Sequence, residues 1–174
     1  MISTISTAIF SMIVSIYSLQ LQSIEEDAIS LGDYAGKKIV FVNIATGSPD
    51  ASQLFELEQL YETHKDSLVV IGLPSNSFNN EMHTNQELKA ILTDSFHISF
   101  PVAAISPVSG EDANSVFGWL ASAAGNGVLN GAIHKDFQKF LINTEGRIYG
   151  IFSNEVPVTD EKFQYAISLT NNSN

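Results

Sequence analysis

Ser48 is the residue whose setting could carry chemistry. It stands in the segment TGSPD, where Gly47 and Pro49 end a continuous apolar, β-branched run from Ile39 to Ala45. Leu54, Leu57, Leu60 and Tyr61 then recur at helical spacing as far as His64. A serine at a strand-to-helix turn is either a polar cap or a nucleophile that needs a base, and the capping role, for a helix beginning near Asp50, is the expected one. The chain contains no cysteine, which excludes thiolate nucleophiles, disulfides, zinc–thiolate sites and iron–sulfur clusters. His64, His83, His97 and His134 are scattered, with no i, i+4 pair, so no metal site is expected and surface or capping roles suffice for all four. Trp119 falls at core spacing on a helix and reads as packing.

The elements around Ser48 alternate. A period-two run, SLQLQSI, and the segment EEDAISL form an expected hairpin across an acidic turn. Ile39 to Ala45 suits a strand buried on both faces, and Ser67 to Leu73 is a second such strand, followed by the polar loop PSNSFNN. Thr84 and Glu87 have capping-box spacing for a helix that runs toward Phe96. A short strand, VAAI, is expected after Pro101, and a helix from Asp112 to Ala124. Phe140 to Ile142 and Arg147 to Phe152 read as two strands around the turn NTEG, and a last helix runs from about Thr159 to Ser168. The expected fold class is α/β, a central mixed sheet flanked by helices with an N-terminal β-hairpin.

At 174 residues and 44% hydrophobic content, the chain can bury the core of one domain. Its net charge of -11, from 8 basic and 19 acidic residues, disfavours nucleic acid and anionic lipid as partners. Residues 1–15 form an apolar extension with Ile2, Ile5, Ile9 and Met12 at helical spacing but no Lys or Arg. That stretch is too short for a membrane span, which needs roughly 20 apolar residues. A cytoplasmic location is expected, with export through this extension as the alternative. The domain is taken as 16–170, followed by a polar tail at 171–174.

From about Ile16 to Ile167 the chain resembles the glutathione peroxidases. The resemblance rests on ISLGDYAGKKIVFVNIAT, LFELEQLYETHKDSLVVIGLPSNSF, the helix start TNQELK, HISFPVAAI and FQKFLINTEGRI. It implies a thioredoxin-like three-layer fold of the short bacterial and plant type, and thiol-dependent reduction of hydroperoxides in the response to oxidative stress. A thiol reductant and a hydroperoxide would be its partners, no cofactor is implied, and a monomer or dimer is expected.

The family's site residues do not carry over in identity. Its peroxidatic Cys or selenocysteine aligns with Ser48, a second motif Cys with Ser75, its Gln with Glu81, and its Trp-Asn pair with Lys135 and Asp136. The usual resolving cysteine falls at about Leu92. Peroxide reduction needs a thiolate that becomes a sulfenic acid and is reduced through a disulfide, and a hydroxyl has no such cycle. The resemblance therefore implies a catalytically degenerate member, with Phe78, Asn79 and Asn80 on the rim of a polar pocket. If Ser48, Glu81, Lys135 and Asp136 converge as the family's residues do, a Lys135–Glu81 ion pair is the expected arrangement. A hydrolase that uses Ser48 with Lys135 and Glu81 is the alternative, weakened because a lysine among carboxylates stays protonated.

Overall fold

The computed structural model describes residues 14–169. Most of the N-terminal extension and the tail at 171–174 lie outside the described residues. A β-hairpin opens the structure, with β1 (Gln20–Gln22) antiparallel to β2 (Ala28–Ser30). The main sheet contains β3 (Lys38–Ile44), β4 (Leu68–Pro74), β5 (Lys139–Ile142) and β6 (Ile148–Phe152) in the order β4-β3-β5-β6. β3 and β4 are parallel, with Val40 opposite Val70, and α1 (Gln53–His64) makes the crossover that a parallel pair requires. β5 is antiparallel to both β3 and β6. This is the mixed sheet with a separate hairpin that the pattern of apolar runs implies.

The alternation of β3 divides the core in two. Ile39 and Phe41 pack with Ile71, Phe140 and α3 (Ser115–Ala121), while Val40, Val42 and Ile44 pack with the leucines of α1, with Leu88 and Leu92 of α2 (Asn85–Asp94), and with Phe163 of α5 (Glu161–Ser168). Helices thus cover both faces of a sheet whose two central strands are apolar on their buried positions apart from Asn43 and Lys139. The α2 capping box is formed as the sequence predicts: Glu87 N donates to Thr84 Oγ1 and Thr84 N donates to Glu87 Oε2. No helix among the described residues is long and apolar enough to cross a membrane.

Three expectations are corrected. The VAAI strand is reduced to single bridges, Val102 to Gly72 and Ala103 to Ser23. Pro101 has no N–H to give, and the next amides divide between Gly72 and the hairpin, so no ladder extends. The helix expected from Asp112 to Ala124 is two pieces, α3 and α4 (Ala123–Asn126), because Asn114 caps α3 through Phe117 N and Ser122 is extended between them. The first long helix begins at Gln53, five residues beyond Ser48, after a series of tight turns.

Lys139 on β5 ties that helix to the sheet. Fully buried, it donates to Gln53 Oε1 at 2.6 Å, Val156 O at 2.9 Å and Phe137 O at 3.0 Å. Burial pushes its ammonium down to about 8, against the pull of Asp50 and Glu56. Burial also pushes the Tyr149 hydroxyl, which has no hydrogen-bond partner among the described residues, up to about 12. Between pH 8 and the unfolded lysine value of about 10.4 the unfolded chain binds more protons, so stability rises with pH. Above the unfolded tyrosine value of about 10 the folded chain holds the tyrosyl proton longer, so stability falls. Urea midpoints are expected to climb from pH 8 and turn over near the tyrosine range. Lys139→Met should flatten the rise, and an unchanged rise in that variant would refute the assignment.

Candidate functional site

Three segments meet at the C-terminal ends of β3 and β4. Thr46-Gly47-Ser48 follows β3, Ser75–His83 follows β4, and Lys135-Asp136 precedes β5. Asn43, a buried polar residue in an otherwise apolar strand, fixes the third segment to the first. Its Nδ2 donates to Lys135 O at 2.8 Å, its carbonyl accepts from Phe137 N, and its Oδ1 accepts from Gln138 N. The first two segments touch through the backbone, where Gly47 N donates to Asn80 O at 2.9 Å. A Cβ at residue 47 would lie 2.6 Å from that oxygen, so the approach requires glycine.

Glu81 locks these loops together. Its side chain is wholly buried, yet every bond to it comes from the loops themselves. Thr46 N and Thr46 Oγ1 donate to Oε2 at 2.8 and 3.0 Å, while His83 Nδ1 lies 2.8 Å and His83 N 3.3 Å from Oε1. The ion pair expected between Glu81 and Lys135 is not formed. Glu81 turns toward the donors of its own and the facing loop, and Lys135 is exposed. His83, assigned only a surface or capping role from sequence, is instead the partner of this carboxylate.

Ser48, Lys135 and Asp136 share a cleft of about 210 Å³, walled by Pro49, Asp50, Phe78 and Asn80. Phe78 and Asn80 line the rim as expected, whereas Asn79, expected beside them, is not among the residues that wall the cleft. Glu81 stands behind the cleft rather than in its wall. Ser48 is only 8% exposed, and its Oγ accepts from Asp50 N at 3.2 Å while its carbonyl accepts from Ala51 N. Its capping role is therefore confined to the turn before α1, because the helix starts too late for a helix cap. Ser75 acts alike in its own turn, accepting from Ser77 N. Asp136 is buried, with Asn80 Nδ2 donating to Oδ2 at 2.7 Å and Oδ1 without a partner among the described residues. Burial pushes its carboxyl above the ordinary value, the Asn80 hydrogen bond opposes the shift, and Glu81 and Asp50 add to it. The cleft thus holds an alcohol, an exposed ammonium and a carboxyl group biased toward its neutral form.

Known proteins share this frame. A family model described as glutathione peroxidase matches residues 16–121. The chain belongs to the glutathione peroxidase family. The glutathione peroxidase of Lactococcus lactis is 31% identical over 139 residues, covering 79% of this chain and 88% of that protein. A glutathione peroxidase homolog of Halalkalibacterium halodurans is 34% identical over 136 residues, 77% of this chain and 86% of its own. The glutathione peroxidase-like peroxiredoxin of Chlamydomonas reinhardtii is 31% identical over 139 residues, 79% and 85% respectively. Among solved structures, a protein titled Trgpx in apo form superposes with a TM-score of 0.67 at 26% identity, covering 89% of this chain and 94% of that one. A thioredoxin-family thiol:disulfide interchange protein of Chlorobium tepidum superposes at 0.62 with 18% identity over 90% of this chain and 97% of that one, a likeness of fold. This member of the glutathione peroxidase family keeps the mixed sheet flanked by helices and has serine at position 48.

Sequence reasoning missed two supports of the site, Asn43 and His83, and gave Asn80 a place on the rim without its bond to Asp136. Asn43 alone carried a signal, as a polar residue inside a continuous apolar strand.

Proposed function

We propose that this glutathione peroxidase family member has lost thiol-dependent peroxide reduction and keeps its former reaction cleft as a binding site. The observation that carries the reading is the absence of any thiol in a chain whose four tetrad-matching positions are Ser48, Glu81, Lys135 and Asp136. Thiol peroxidases break the peroxide O–O bond with a thiolate, which takes one oxygen to become a sulfenic acid while the other leaves as water. An alcohol has no accessible counterpart of that oxidation. The partners that the relatives' names imply, a thiol reductant and a hydroperoxide, therefore have no reacting atom here.

The geometry of the cleft is consistent with retention for binding. Its walls are held by Asn43, Gly47 and Glu81 whether or not a reaction occurs, so the surface persists without the sulfur. No observation favours the serine hydrolase alternative. Among the described residues Ser48 Oγ has the Asp50 amide as its partner and no base, and both Glu81 oxygens are occupied.

The test is hydrogen peroxide and cumene hydroperoxide consumption by the purified chain with reduced glutathione or reduced thioredoxin, intact mass confirming serine at position 48. Consumption at the no-protein rate is expected. Turnover at the rate of a thiol peroxidase run in parallel would overturn the reading, and fluorophosphonate labelling of Ser48 would replace it with the hydrolase.

A further inference from the structure

A second cavity lies on the β4 side of the sheet. It measures about 410 Å³ and is enclosed by the hairpin, the chain just after it, the end of α1, α2, and the bridge segment around Val102. We propose that this cavity binds a small organic cation with an apolar body, an arylalkylammonium in chemical class. The inference is independent of the cleft around Ser48.

Three features carry it. The first is aromatic surface at a partly open site: Tyr34 and Tyr61 are half-buried in the wall, and Tyr61 meets buried Phe100 edge-on at a centroid distance of 6.2 Å. Aromatic walls accept an apolar body and attract an adjacent ammonium through their ring faces.

The second is unused hydrogen-bonding capacity. Neither the Tyr34 nor the Tyr61 hydroxyl has a hydrogen-bond partner among the described residues, whereas the half-buried Tyr17 hydroxyl donates to Thr144 O. Burial first, with Tyr61 and Asp33 adding to it, holds the Tyr34 hydroxyl above its ordinary value, so it stays a neutral phenol whose oxygen can accept from an ammonium N–H.

The third is charge. Glu25, Asp27 and Asp33 face the cavity against one cation, Lys89. Lys89 is taken by Glu25 at 2.9 Å, which joins α2 to the hairpin turn and leaves Asp27 and Asp33 without an ion pair among the described residues. A neutral or anionic ligand would leave these two carboxylates uncompensated. A cation relieves them, and the chain's net charge of -11 raises its local concentration.

The test uses isothermal calorimetry and amide NMR titrations of the whole chain with phenethylamine, its neutral isostere 2-phenylethanol and the anion 3-phenylpropanoate at low salt. Phenethylamine is expected to bind about five- to tenfold tighter than 2-phenylethanol, as two partly screened carboxylates allow. Its shifts should centre on Ala28–Ser30, Tyr34 and Tyr61. Asp27 and Asp33 are exposed, so the double variant Asp27→Asn/Asp33→Asn should fold normally and lose the preference for the cation. Lys89→Gln should tighten binding severalfold by removing the like charge. Equal affinity for the amine and the alcohol, no binding up to the solubility limit, shifts confined to the cleft around Ser48, or an unaltered preference in the double variant would each overturn the assignment.

Discussion

Glu81→Ala is expected to lower the unfolding free energy by about 3 kcal/mol, while Glu81→Gln lowers it by less than about 1 kcal/mol. The alanine variant strips the acceptor from Thr46 N, Thr46 Oγ1 and His83 N in a place where the carboxylate itself has no solvent exposure. Thr46 is half-buried and both of its donors lose the Glu81 acceptor at once, the exposed His83 amide can turn to water, and the removed side chain leaves a cavity in the buried space that Glu81 fills. Glutamine keeps an oxygen for the Thr46 amide and hydroxyl and turns an NH2 toward His83, whose Nδ1 accepts in the other tautomer, while the longer bond from the exposed His83 amide is given up to water. The contrast separates a hydrogen-bonding role from a charge role. Urea denaturation of both variants at neutral pH measures it. Equal losses in the two would mean that the negative charge on Glu81, rather than its acceptor geometry, holds the loops.

Such a lock was only half legible in the sequence. The fold could be read from continuous apolar runs at Ile39 to Ala45 and Ser67 to Leu73 and from the leucine spacing of α1, because burial on both faces of a strand leaves a plain signature. The α2 start was equally plain, since Thr84 and Glu87 satisfy each other locally. What failed depended on contacts between distant segments. The strand expected at Val102 is limited by competition between β4 and the hairpin for the same amides, and the break at Ser122 lies in a stretch of small residues with no helix-breaking proline. At the site, alignment located Ser48, Glu81, Lys135 and Asp136 but could not aim their side chains. The choice of His83 over Lys135 as the partner of Glu81 is made by loop geometry, in which residue 83 turns back on residue 81. Opposite charges nearby in an alignment are weak evidence of a pair when both can reach solvent or backbone instead.

The same electrostatics predict that sulfur alone does not revive the reaction. In Ser48→Cys the new thiol replaces the hydroxyl of a residue that is 8% exposed, in a cleft shared with Asp50, Lys135 and Asp136 and backed by Glu81. Burial first, with Glu81 and Asp50 adding to it, already pushes the Asp136 carboxyl above its ordinary value. Burial of residue 48 and the carboxyl groups of Asp50, Asp136 and Glu81 disfavour a further negative charge, and the one opposing cation, Lys135, is exposed and screened by solvent, so the thiol should titrate above its free value of about 8.5, where a peroxidatic thiol needs a lowered one. At neutral pH only a few per cent or less would then be thiolate, by the ratio set by about 1.5 pH units. Peroxide consumption by Ser48→Cys should remain at the background, and its iodoacetamide alkylation should rise only at alkaline pH. Adding Glu81→Gln, Lys135→Trp and Asp136→Asn restores the family's neutral surroundings, removing two carboxyl groups against one exposed ammonium. Single-turnover formation of sulfenic acid with stoichiometric peroxide should then quicken at least about tenfold, the factor that one unit of thiol pKa would give. The comparison is made at matched pH by intact mass after trapping with dimedone. If Ser48→Cys alone reacts as fast as the fourfold variant, the surrounding charges are not what silences the site, and the single exchange of sulfur for oxygen is the whole of the loss.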